Sequence, residues 1–150
     1  MNSPDDSNGK SIEDYKSLFF GFIKNKNLQN HVFYKGVIHN ELKYLTIVNS
    51  HFFVLPSNYS TEGLPVSIIE AMAYKSLVIS TDHNAITDLI IPDITGYLVP
   101  FSKPEEIANK IEFCTKHPYK YDEIISNAYK HVSENFREQK YCEQLLALFH

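Results

Sequence analysis

Seven residues separate Glu62 from Glu70, and the stretch between them, Gly63-Leu64-Pro65-Val66-Ser67-Ile68-Ile69, changes character midway. Its first part is loop-like. Gly63 lets a backbone come close to a ligand, and Pro65 suits the first turn of a helix, where a missing N–H costs nothing. From Val66 onward the residues are helical and apolar. A helix opening there presents free N–H groups and the positive end of its dipole, a ready site for phosphate. Glu62 stands at the mouth of this loop. Glu70 lies about a turn and a half into the helix among isoleucine, alanine and methionine, where a solvated face explains it poorly. The simple alternatives are that Glu62 is a helix-start charge, worth ~0.3–1 kcal/mol, and that Glu70 is a surface position.

Other chemistries find little support. There is no Walker loop and no Gly-x-Gly-x-x-Gly. His31, His39, His51, His117, His131 and His150 have no metal-ligand spacing among themselves, so no metal is expected from them, and with those nucleotide motifs absent no cofactor is expected either. Cys114 and Cys142 sit far apart in helical patterns and read as free buried thiols, which suits a reducing cytoplasm, with a disulfide between them as the alternative. The net charge is -4 and the lysines are scattered, so nothing favours nucleic acid. No apolar run approaches the ~18–20 residues that cross a bilayer. Tyr59 and Tyr97 are candidates to stack on a base or a sugar, with a core role as the alternative.

The elements that must position the two glutamates follow from periodicity. Helical spacing marks 12–28, 40–48 with Asn40 as N-cap, 65–74, 85–90, 104–116, 121–134 and 139–149. Short apolar strands are expected at 32–34, closed by Gly36, and at 51–55, 77–80 and 96–99. Strands alternating with helices make an α/β domain, a Rossmann-like doubly wound parallel sheet covered on both faces. Such sheets bind ligands beyond the carboxyl ends of their strands. The loops after Leu55, Ile79 and Gly36 are therefore the places for chemistry. Residues 1–11 read as a polar tail, and 12–150 as the domain. At 150 residues, 43% of them hydrophobic, the chain suffices for one real core.

The order of segments is more specific than any one of them. Pro56-Ser57 after a strand, Glu62-Gly63-Leu64-Pro65, Glu70-Ala71-Met72-Ala73, Thr81-Asp82 after the next strand, and Gly96-Tyr97-Leu98-Val99-Pro100 occur in register. Together they resemble the C-terminal domain of the family-4 (group 1) retaining glycosyltransferases of GT-B fold. The upstream Asn30-His31-Val32-Phe33-Tyr34-Lys35-Gly36 is similar to the strand leading into that family's acceptor-facing loop. The resemblance covers roughly residues 12 to 149.

What the resemblance implies is a transferase. It would move a hexose from a nucleotide diphosphate sugar to a glycan or lipid-linked acceptor with retention, in surface polysaccharide or lipopolysaccharide synthesis. Glu62 would be the catalytic carboxylate touching the sugar. Gly63, Leu64, Val66 and Glu70 would bind the donor, Glu70 taking the ribose hydroxyls. A carboxylate suits a vicinal diol because it accepts two hydrogen bonds at once. The place of action would be the cytoplasm or the inner face of the membrane, with at most peripheral membrane contact.

The sequence also departs from the pattern. His83-Asn84-Ala85 stands where the family has two glycines, which makes His83 or Asn84 a candidate to donate to phosphate, with a simple loop role as the alternative, and Tyr74-Lys75-Ser76-Leu77 lacks the glycine that caps the preceding helix. The acceptor domain and the Arg and Lys that neutralise the leaving diphosphate have no counterpart in these 150 residues. The expected partner is a chain carrying an acceptor domain, or a second copy of this one. The alternatives to an enzyme are a donor-binding subunit of a split enzyme and an inactive fragment.

Overall fold

The computed structural model describes residues 11–59, 63–83 and 85–136. Two compact units divide the chain at Ile38–His39.

In the first unit, α1 spans Ile12–Asn25. Ser11 and Asp14 form a reciprocal capping box at its start, satisfying two orphan amides. The chain then turns through Asn27, whose φ is 54°. The expected strand at 32–34 is not formed. Instead the Tyr34 ring packs edge-on against Phe19 and Phe20 of α1, at centroid distances of 6.3 and 5.6 Å. Three apolar residues have β propensity, but a strand also needs a ladder partner, and here local aromatic packing takes that side chain.

The second unit is a three-stranded parallel sheet in the order β1 (Phe52–Leu55), β2 (Leu77–Thr81), β3 (Tyr97–Val99). Phe52 pairs with Leu77 and Leu55 with Ser80; Ile79 pairs with Tyr97 and Thr81 with Val99. The central β2 is buried along its whole length. Its side chains alternate between two cores, as strand geometry requires. Val78 meets Ile68, Ala71 and Met72 of α3 (Val66–Ala73), Ile47 of α2 (Asn40–Val48), and Ile86 and Leu89 of α4 (Ile86–Leu89). Leu77 and Ile79 meet Cys114 of α5 (Pro104–Lys116) on the other face. The final described helix, α6 (Pro118–Asn135), serves both cores, through Ile124 in one and Ala128 and Val132 in the other. Helices therefore cover both faces of a parallel sheet, the doubly wound arrangement.

Several local expectations are corrected. His39, not Asn40, occupies the N-cap of α2, and Asn40 has a φ of 51°. Pro65 is the N-cap of α3 rather than a first-turn residue. Tyr97 does not stand ready to stack on a ligand. It is buried, its phenol receives a hydrogen bond from the Cys114 thiol at 3.6 Å, and burial pushes its pKa well up. The helix expected at 139–149 and Cys142 lie outside the described residues.

Candidate functional site

The carboxyl end of β2 is built to hold the loop that follows β1. Ser80 donates its hydroxyl to the Leu55 carbonyl at 2.6 Å. Thr81 donates to the Ser57 carbonyl, and the His83 imidazole Nε2 lies 3.1 Å from the Tyr59 carbonyl oxygen. Contacts from the end of β2 and from His83 just beyond it thus fix the backbone from Leu55 to Tyr59. The Asp82 amide donates to the Val99 carbonyl at 3.0 Å and ties in β3. His83, a candidate phosphate donor in the sequence, spends a ring nitrogen on this loop.

Gly63, Leu64 and Pro65 lead from the loop into α3. Pro65 provides no side-chain cap, and the first turn carries no acidic residue. The start of α3 is therefore left with its positive dipole end uncompensated by the helix's own side chains. Leu64 and Val66 are exposed beside it, at 45% and 62%. Among the described residues a Cβ added at Gly63 would meet nothing within 4 Å. Glu62 and Asn84 lie outside the described residues.

Glu70 projects from the second turn of α3, half-buried, and is ion-paired. Its Oε1 accepts from Lys43 Nζ of α2 at 2.6 Å, with the two side chains 19% and 34% exposed. That hydrogen bond holds the Lys43 ammonium above the usual lysine range. The ammonium also lies 4.7 Å from the centroid of the Tyr44 ring, which packs against Tyr74. Sequence reasoning gave Glu70 a polar function but missed Lys43. The pair spans 27 residues and two helices, and no local pattern announces it.

A cleft of about 380 Å³ lined by His51, Phe52, Cys114, Thr115, Pro118 and Tyr121 lies elsewhere, at the amino end of β1. It is mostly apolar and shares no residue with the loops at the strands' carboxyl ends. Among the described residues no group of three His, Cys, Asp or Glu is placed to hold a metal ion, and no helix is long and apolar enough to cross a membrane.

A three-stranded parallel sheet with helices on both faces and an open helix start beyond its strands defines a doubly wound α/β domain. The chain belongs to the family Glycosyl transferases group 1, which it matches over residues 12–131. It is 34% identical over 101 residues to the putative colanic acid biosynthesis glycosyltransferase WcaL of Salmonella typhimurium, covering 64% of this chain. It spans only 25% of that relative's length. Among solved structures, it is similar to the C-terminal domain of a glycosyl transferase group 1 family protein (LpcC) from Francisella tularensis. There the TM-score is 0.70 and the identity 24%, covering 83% of this chain and 64% of that one. The Anabaena protein HepE, crystallised with UDP and glucose, superposes with a TM-score of 0.80 at 23% identity, covering 90% of this chain and 37% of that one. The fold is thus that of the C-terminal half of a GT-B glycosyltransferase.

Proposed function

We propose that this chain is the donor-binding part of a retaining glycosyltransferase that uses a nucleotide diphosphate sugar. The observation that carries the reading is the position of Glu70: half-buried, ionically paired, in the helix that opens beyond β1, inside a chain of this family. A carboxylate held there accepts from the two hydroxyls of a ribose. The open start of α3 and the amides of Gly63, Leu64 and Val66 receive the diphosphate. Asn84, in the loop after β2, completes the donor site. Glu62 contacts the hexose near the anomeric carbon, orienting it and stabilising the charge that develops there.

Retention follows a front-face route. The bond from the anomeric carbon to the phosphate oxygen breaks, and an acceptor hydroxyl bonds to the same face. The departing phosphate takes the acceptor's proton. The acceptor is a growing glycan or glycolipid, in keeping with a relative named for colanic acid biosynthesis. The reaction takes place in the cytoplasm or at the inner face of the membrane.

Titration calorimetry with uridine, guanosine and adenosine diphosphates tests the reading. Binding of at least one is expected at a Kd on the order of 0.1–1 mM, which is ~4–5.5 kcal/mol. Glu70→Ala should remove ~1.5–3 kcal/mol, because a charged hydrogen-bond partner is lost. Absence of binding by all three at millimolar concentration would refute the donor-site reading. An affinity untouched by Glu70→Ala would remove Glu70 from it.

A further inference from the structure

We propose that Lys43 is a positioning residue for the donor site: its ammonium fixes the Glu70 carboxylate in the orientation that receives the ribose diol. The inference rests on the function proposed above and extends it to a residue on a different helix.

The geometry is specific. Lys43 Nζ takes Oε1 of Glu70 at 2.6 Å, and among the described residues Oε2 accepts no hydrogen bond. One oxygen is thus anchored while the other keeps its lone pairs for a ligand. The anchor itself is held. The ammonium sits over the Tyr44 ring, which packs on Tyr74 just beyond α3. Helix α2 is pinned at its far end by Ser76, whose buried hydroxyl lies within bonding distance of the Ile47 and Ser50 carbonyls, at 2.9 and 2.8 Å. Ile47 shares a core with Ile68, Ala71 and Met72 of α3. The two helices are therefore fixed against each other, and Lys43 reaches Glu70 from a defined direction.

The chemistry explains why this matters. A glutamate side chain has three rotatable bonds, and a free one must be ordered when a diol binds. A carboxylate already held at one oxygen has lost most of that freedom before the ligand arrives. An ordinary surface ion pair would contribute to stability alone, and little of that. Here the pair joins the functional glutamate and leaves its second oxygen open.

The test uses the whole chain and compares uridine, guanosine and adenosine diphosphates with their dideoxy analogues, which lack both ribose hydroxyls. The variants are Lys43→Met, which keeps the aliphatic stem, Lys43→Gln and Lys43→Arg. The native chain should prefer the ribose form. Lys43→Met and Lys43→Gln should weaken the ribose form by about tenfold while leaving the dideoxy form within about twofold, the range expected for losing preorganisation of one side chain. Lys43→Arg should restore most of the preference. Equal weakening of both forms would mean a merely structural role and would overturn the proposal. Tighter ribose binding in Lys43→Met would also overturn it, because the ammonium would then compete with the diol. A preference for ribose that survives both neutral variants would defeat the positioning role while leaving the donor site standing. Failure of the native chain to bind any nucleotide would defeat both.

Discussion

Two glycines show how differently one residue type serves fold and site. At Gly96 an added Cβ would stand 2.8 Å from the Val78 carbonyl oxygen and 3.2 Å from Ile90 Cγ2. The nearer contact is backbone of the central strand and cannot step aside. Gly96→Ala is therefore expected to destabilise the chain by ~1–3 kcal/mol, the usual cost of overpacking, read from denaturant unfolding. Gly63 is the reverse case: among the described residues nothing lies within 4 Å of an added Cβ. Gly63→Ala should leave stability within ~0.5 kcal/mol yet weaken nucleoside diphosphate binding by about fivefold or more, because in the proposed donor site a methyl group would occupy the ligand's side of the backbone. Loss of stability without loss of binding in Gly63→Ala would place that glycine in the fold and not in the site. Both residues were visible in the sequence as parts of motifs. Lys43 was not, because its significance comes from Glu70 lying 27 positions away, and only packing of α2 on α3 brings the two together.

The elements were legible where apolar periodicity and packing agree, and illegible where the chain does something locally costly. α5 begins and ends where the sequence places it, at Pro104 and Lys116, and the β2 run is buried throughout. The end of α3 is the instructive case. The glycine expected for a left-handed cap is absent, yet the cap forms. Lys75 takes a φ of 60°, its amide donates to the Met72 carbonyl at 3.1 Å, and the Ser76 amide donates to the Ala71 carbonyl at 2.9 Å. These are the two bonds of a Schellman motif. A residue with a Cβ pays ~1–2 kcal/mol for that conformation. The Lys75 ammonium, 5.2 Å from the Tyr129 ring centroid, recovers ~0.5 kcal/mol of it. Comparing two variants that both lack this cation isolates the backbone term. Lys75→Gly should be more stable than Lys75→Ala by ~1 kcal/mol in denaturant unfolding. Equal stabilities would mean that the cap carries no strain.

Across the whole molecule, the weight of the structure lies in one of its two units. All three strands, both cores and both partners of the Lys43–Glu70 pair belong to residues 39–150. So do the other candidate donor residues, Glu62, Gly63, Leu64, Val66 and Asn84, by their place in the sequence. The first unit has its own means of local order in the Ser11–Asp14 capping box and the cluster of Phe19, Phe20 and Tyr34. A doubly wound sheet with helices on both faces has enough buried apolar surface to fold as a small domain of ~100 residues. A chain beginning at His39 is therefore expected to unfold in a single cooperative transition. Its denaturant dependence should be lower than that of the full chain in proportion to the smaller surface it exposes. The same piece should retain nucleoside diphosphate binding that is lost on Glu70→Ala, since the carboxylate, its lysine and the helix start come with it. Circular dichroism through a urea titration, followed by calorimetry with the nucleotides named above, measures both. A shortened chain with no cooperative transition would mean that the sheet depends on residues before His39. A shortened chain that folds but binds without dependence on Glu70 would separate the fold from the site and place the donor elsewhere on this domain.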